Sequence, residues 1–70
     1  MTKLEKKLIE LGYELYLTEE ILKPTYQIIK IYIKDLGFNN FVYIYISDNK
    51  IVQTINTPIK DLEELKKYED

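Results

Sequence analysis

Between Thr25 and Ile55 the chain alternates with a period of two in three successive runs, each closed by residues that turn a backbone. Ile29, Ile31 and Ile33 stand on one face of the first run, with Tyr26, Ile28, Lys30, Tyr32 and Lys34 on the other. In the second, Val42, Ile44 and Ile46 alternate with Tyr43 and Tyr45; in the third, Ile51, Gln53 and Ile55 alternate with Val52 and Thr54. Such a pattern demands an antiparallel sheet, and because side chains repeat every two residues, a slip of one residue sends every side chain to the opposite face. The fold therefore depends on register.

Asp48 and Asn49 tolerate positive φ and suit a two-residue hairpin loop, which pairs Ile46 with Ile51, Ile44 with Gln53 and Val42 with Ile55. A six-residue turn over 35–40 pairs Ile33 with Val42, Ile31 with Ile44 and Ile29 with Ile46. Both turns bring aliphatic residues together. The expected sheet has rows Ile33, Val42, Ile55 and Ile29, Ile46, Ile51 on one face, and rows Tyr32, Tyr43, Thr54 and Lys30, Tyr45, Val52 on the other. Gln53 breaks this scheme as a polar residue on the expected core face.

The flanks are helical. Thr2 precedes Glu5 by three residues, the spacing of a capping box, and Met1, Leu4, Leu8 and Leu11 recur as an apolar stripe up to Gly12, a residue suited to the left-handed position after a helix. Lys3, Lys6, Lys7 and Glu10 take the wet side. Tyr13, Leu15 and Leu17 alternate with Glu14 and Tyr16 as a short strand, and Thr18 to Pro24 reads as a connection. Thr57 and Pro58 predict the N-cap and first position of a second helix whose apolar side is Ile59, Leu62, Leu65 and Tyr68. Two helical stripes and one aliphatic sheet face are hidden together most simply when both helices lie on that face. The expectation is a single α+β domain over 1–70 in two layers, an antiparallel sheet of three to four strands with N-terminal and C-terminal helices on one side.

Composition narrows the chemistry. The 70 residues include no His, no Arg and no Cys, and carry a net charge of −2. Without His the usual neutral-pH general base is missing, and without Arg the bidentate phosphate clamp. No thiolate zinc site or disulfide can form, and a reducing cytoplasm is the expected setting. No apolar run reaches the roughly 20 residues that cross a bilayer. Acidic pairs at Glu19 and Glu20, Glu63 and Glu64, and Glu69 and Asp70 lack the alternate spacing around a glycine that a hard-cation loop uses. Neither an enzyme, a cofactor, a metal site nor a membrane partner is expected. An excess of Lys, Ile, Asn, Tyr and Glu is what an AT-rich genome writes, so the placement of the tyrosines carries more weight than their number.

The face left over is the candidate site: Tyr16, Tyr26, Ile28, Lys30, Tyr32, Lys34, Tyr43, Tyr45, Val52 and Thr54. Tyrosine offers a large apolar ring with a polar tip, the type enriched at protein interfaces. The expected partner is a protein, either a second copy in a homodimer or a foreign one, with Tyr32, Tyr43 and Tyr45 as anchors and Lys30 and Lys34 fixing orientation. The alternative is a nucleotide or single-stranded nucleic acid stacked on the same rings. The acidic balance argues against that alternative. An α-β-β-β-α order is also that of the double-stranded-RNA-binding domain, but the lysine cluster opening that family's second helix is replaced here by Thr57-Pro58-Ile59-Lys60-Asp61-Leu62-Glu63-Glu64.

In size, acidity and architecture the chain resembles the small anti-defence proteins, anti-CRISPR inhibitors among them, that phages and mobile elements of AT-rich bacteria carry. The resemblance implies a stoichiometric inhibitor that occludes a site on a host defence protein, and it brings no motif residue with it.

Overall fold

The computed structural model describes residues 1–70. In chain order the elements are α1 (Lys3–Glu10), β1 (Glu14–Ile21), β2 (Gln27–Gly37), β3 (Asn40–Ser47), β4 (Lys50–Ile55) and α2 (Ile59–Lys66). The strands form one antiparallel sheet in the order β1-β2-β3-β4. The fold is α+β, with the expected order of elements.

The start of α1 is as its sequence predicts: Thr2 Oγ1 accepts from the Glu5 amide at 3.2 Å and Glu5 Oε1 accepts from the Thr2 amide at 3.1 Å. At its end Gly12 takes φ 97°, and the amides of Gly12 and Tyr13 reach back to the carbonyls of Ile9 and Leu8. That Schellman closure turns the chain sharply and drops Tyr13 beneath the helix, where it is 2 % exposed beside Leu8. The second helix departs from expectation. Pro58 remains extended at ψ 137°, so it becomes the N-cap; Thr57 then stands one position too early, and its hydroxyl is buried without a partner. Leu65 of α2 is fully buried and Tyr68 packs on the core, whereas Ile59 stays in solvent.

Strand β1 runs on through Glu19 and Glu20 to Ile21, which pairs with Gln27, so most of the expected connection is strand. Its ladder to β2 satisfies backbone groups that a loop would leave to water.

Register differs from expectation in both hairpins, each time by one inserted residue. The β2–β3 loop holds only Phe38 and Asn39, both at positive φ, instead of six residues. Behind it, Asp35 Oδ1 accepts from the Gly37 amide at 2.7 Å and Gly37 adopts φ 88°, leaving Leu36 as an unpaired bulge residue between the Asp35–Phe41 and Gly37–Asn40 pairs. Lys30 consequently pairs with Ile46, Tyr32 with Ile44 and Lys34 with Val42, while Ile31 meets Tyr45 and Ile33 meets Tyr43. The expected Ile33–Val42, Ile31–Ile44 and Ile29–Ile46 pairs are thus corrected. In the next hairpin the two-residue loop at Asp48 and Asn49 and the Ile46–Ile51 pair are as expected, but Val52 is extra, so Gln53 pairs with Tyr45, Thr54 with Ile44 and Ile55 with Tyr43. Gln53 therefore leaves the core face.

The core is Leu4, Leu8, Tyr13, Tyr32, Val42, Ile44, Ile46 and Leu65, with Leu11, Ile51 and Tyr68 at its margin. Residues from α1, α2 and the face of the sheet bearing Tyr32 thus share one layer, and burial of each aliphatic side chain contributes about 1.5–3 kcal/mol.

Gly37→Ala tests the bulge. A Cβ there meets nothing within 4 Å, so the only cost is the φ of 88°, and the change is expected to lower stability by about 1–2 kcal/mol in urea unfolding. A neutral result would show that Gly37 does not hold the bulge.

Candidate functional site

The sequence-selected residues divide between the two faces. On the helix-covered face, β2 presents Lys30, Tyr32 and Lys34 in line, and each is bound to a helix. Glu5 Oε2 of α1 accepts from Tyr32 Oη and from Lys30 Nζ, both at 2.9 Å. Asp61 Oδ2 of α2 accepts from Tyr13 Oη at 2.9 Å and lies 3.5 Å from Lys34 Nζ, which also sits 5.1 Å over the Tyr13 ring. Ile28 follows the same face past the helix, and Thr54 lies on it opposite Ile44. Tyr32 is 1 % exposed. The placement of Lys30, Tyr32, Lys34, Ile28 and Thr54 on an outward face is therefore corrected: the register shift turns them toward the helices, where Lys30, Tyr32 and Lys34 tie the layers together.

Electrostatics follow from these contacts. Burial alone would raise the Glu5 carboxyl, but hydrogen bonds from Lys30, the Thr2 amide and Tyr32 outweigh it and hold the pKa at about 2. Burial, and then its bond to the Glu5 carboxylate, pushes the Tyr32 phenol up to about 12; burial and Asp61 likewise push Tyr13 well above the ordinary phenol range. A shallow recess of about 210 Å³ opens beside Glu5 and Lys30, lined further by Thr2, Ile28, Ile46, Ser47, Asp48 and Asn49. The Glu5 carboxylate and the Lys30 ammonium in it are bonded to each other, so neither of these two is a free acid or base. No group of three or more acidic side chains is placed to hold a metal ion.

The opposite face has no helix on it. Its central rows are Glu14, Ile33, Tyr43, Ile55 and then Leu17, Ile31, Tyr45, Gln53, reading from β1 to β4. Both edge strands bulge at the second row. On β1 the pairs step from Leu15–Tyr32 to Leu17–Ile31, and on β4 from Ile46–Ile51 to Tyr45–Gln53, so Tyr16 and Val52 add to that row. Tyr16 sets its ring edge against Tyr43, with centroids 6.4 Å apart and planes at 67°. Ile31 is only 5 % exposed although no helix covers it, hemmed in by the crowded row. Tyr16, Leu17, Val52 and Ile55 are 41–63 % exposed around it. Of the sequence-selected set, Tyr16, Tyr43, Tyr45 and Val52 are brought together here, while Tyr26 stands exposed in the β1–β2 connection. Leu17, Ile29, Ile31, Ile33 and Ile55 are the members that sequence reasoning assigned elsewhere. Gln53 in the core was the one visible sign that the assumed register was wrong.

No family model matches the chain, and no curated protein or solved structure matches it. No helix is long and apolar enough to cross a membrane.

Glu5→Gln keeps the shape but removes the charge that Lys30 and Tyr32 bond to, and is expected to cost about 1–3 kcal/mol at neutral pH. The Glu5 pKa is depressed from 4.5 to about 2, so its contribution is complete above pH 4.5 and is lost as pH falls toward about 2. Unfolding curves of the wild type and the variant should therefore converge across that interval; a gap unchanged by acid would show that the Glu5 charge does not hold α1 to the sheet.

Proposed function

We propose that the chain is a non-enzymatic protein-binding module whose contact surface is the bare face of the sheet. One observation carries this reading: both helices are committed to the Tyr32 face, while Tyr16, Leu17, Ile29, Ile31, Ile33, Tyr43, Tyr45, Val52 and Ile55 share the other, with Glu14, Glu19, Gln27, Asp35, Lys50 and Gln53 at its margins. Contiguous apolar surface of more than a few hundred Å² marks contact sites on small proteins. Tyr43 and Tyr45 serve as anchors, with Tyr16 buttressing Tyr43; Tyr32, fully buried, drops out of that role. Binding acts by steric occlusion. The resemblance to anti-defence inhibitors makes a host defence protein one object of that occlusion, in a reducing cytoplasm that suits a chain without cysteine.

Base stacking on the same rings receives less support. Lys30 and Lys34, the cations that reading needs beside the tyrosines, stand on the other face with carboxylates, and Glu14 and Glu19 border the rings instead. A phosphate backbone meets no basic track there.

A photo-crosslinking side chain in place of Tyr45 is expected to yield a discrete adduct, and the same group in place of the exposed Ile59 on α2 none. Tyr45→Ala is expected to weaken that association by about 1 kcal/mol or more while the cooperative unfolding transition persists. Equal labelling from both positions, or loss of folding in Tyr45→Ala, would sink the assignment of the contact surface.

A further inference from the structure

Resting on that reading of the bare face, we propose that its occupant is a second copy of this chain, packed sheet to sheet about a two-fold axis parallel to the strands. Such an axis lays β1 over β4 of the other copy and β2 over β3. Strand β2 presents Ile29, Ile31 and Ile33 on this face between Gln27 and Asp35 at its two ends, and β3 presents Tyr43 and Tyr45 directly beside Ile33 and Ile31. Each tall ring then meets a short aliphatic of the other copy, twice over by symmetry. An axis across the strands would instead stack β3 on β3 and tyrosine on tyrosine.

One pair of charges obeys the same axis, while Glu14 would face Ile55 and Asp35 would face Phe41 of the other copy. Glu19 pairs with Ile29 on β2 and Lys50 pairs with Ser47 on β3, and Ile29 and Ser47 are the next positions beyond the Lys30–Ile46 pair. Glu19 and Lys50 thus occupy opposite ends of one row, and the parallel two-fold brings each over its opposite in the other copy. An isologous contact requires this self-complementarity.

Edges offer a poorer route to assembly. Bulges at Tyr16 and Val52 interrupt the ladder on both outer strands, which disfavours strand addition and leaves the face as the contact. Four strands about 4.8 Å apart and eight residues of about 3.3 Å each give a face of about 19 by 26 Å. Two copies would bury about 1,000 Å² in projection, the lower bound for a specific interface, so the dimer is expected to dissociate on dilution from about 1 mM to about 10 μM.

Sedimentation of the full chain across that range at low salt tests the proposal. The mass is expected to rise from the 8.4 kDa monomer toward twice that value. Tyr16→Lys, at a position 63 % exposed, should abolish the rise while the far-ultraviolet spectrum is unchanged. Glu19→Lys or Lys50→Glu alone should weaken the dimer about tenfold, and the two together should restore it to within about threefold of the wild type. A chain that remains a monomer at about 1 mM overturns the proposal, as does a dimer indifferent to Tyr16→Lys; a dimer that the double exchange does not restore overturns the axis. Should the chain be monomeric, adducts with a foreign protein from position 45 would leave the contact-surface reading standing, and no adduct at all would remove both.

Discussion

A single inserted residue governs which half of the sheet this protein buries. Asp35 captures the Gly37 amide, Gly37 turns to positive φ, and Leu36 is squeezed out of the ladder. Beyond the bulge, residues of β2 pair with residues of β3 whose numbers share their parity, so Tyr32 lies with Val42, Ile44 and Ile46 and the three isoleucines lie with Tyr43 and Tyr45. Without that insertion the parity reverses, and with it the identity of the core. Backbone geometry at one glycine decides more here than the hydrophobicity of any side chain.

The register has a polar consequence that a purely aliphatic face would not have. Lys30, Tyr32 and Lys34 enter the interlayer space, where the desolvation of their heads must be offset by partners. Each helix supplies one carboxylate: Glu5 takes Tyr32 and Lys30, and Asp61 takes Tyr13 and approaches Lys34. Glu5 does this while still closing the capping box of α1, so the same side chain starts the helix and docks it. Hydrogen bonds to an ionised acceptor are directional, and two such points fix the orientation of helices only eight residues long.

Helices of that length cover one side of a four-stranded sheet and no more. The uncovered side is then a property of the architecture, and what distinguishes this chain is the composition of that side: an isoleucine column beside a tyrosine column, with charges held at the margins. The proposed second copy would resolve the exposure with the pieces already present. The proposed occlusion of a foreign protein would use the same rings, and the dimer would set the concentration above which the surface is withheld from it.

The α+β class, the six elements, the capping box, the Asp48–Asn49 turn and the glycine stop of α1 were legible in the sequence, because each rests on contacts within a few residues. That one sheet face would be bare was legible too, since two short stripes cannot cover two faces. The residues on that face were not. Pattern matching favoured pairing aliphatic with aliphatic, and it could not see that a tyrosine is as good a core residue when a capping carboxylate stands above its hydroxyl. Bulges at Tyr16, Leu36 and Val52 shift pairing by one residue each, and they are selected by the fit of whole strands and helices to one another. Sequence thus determined the local elements and the count of layers; only the tertiary structure, in which register is a long-range compromise, decided which side chains each layer presents.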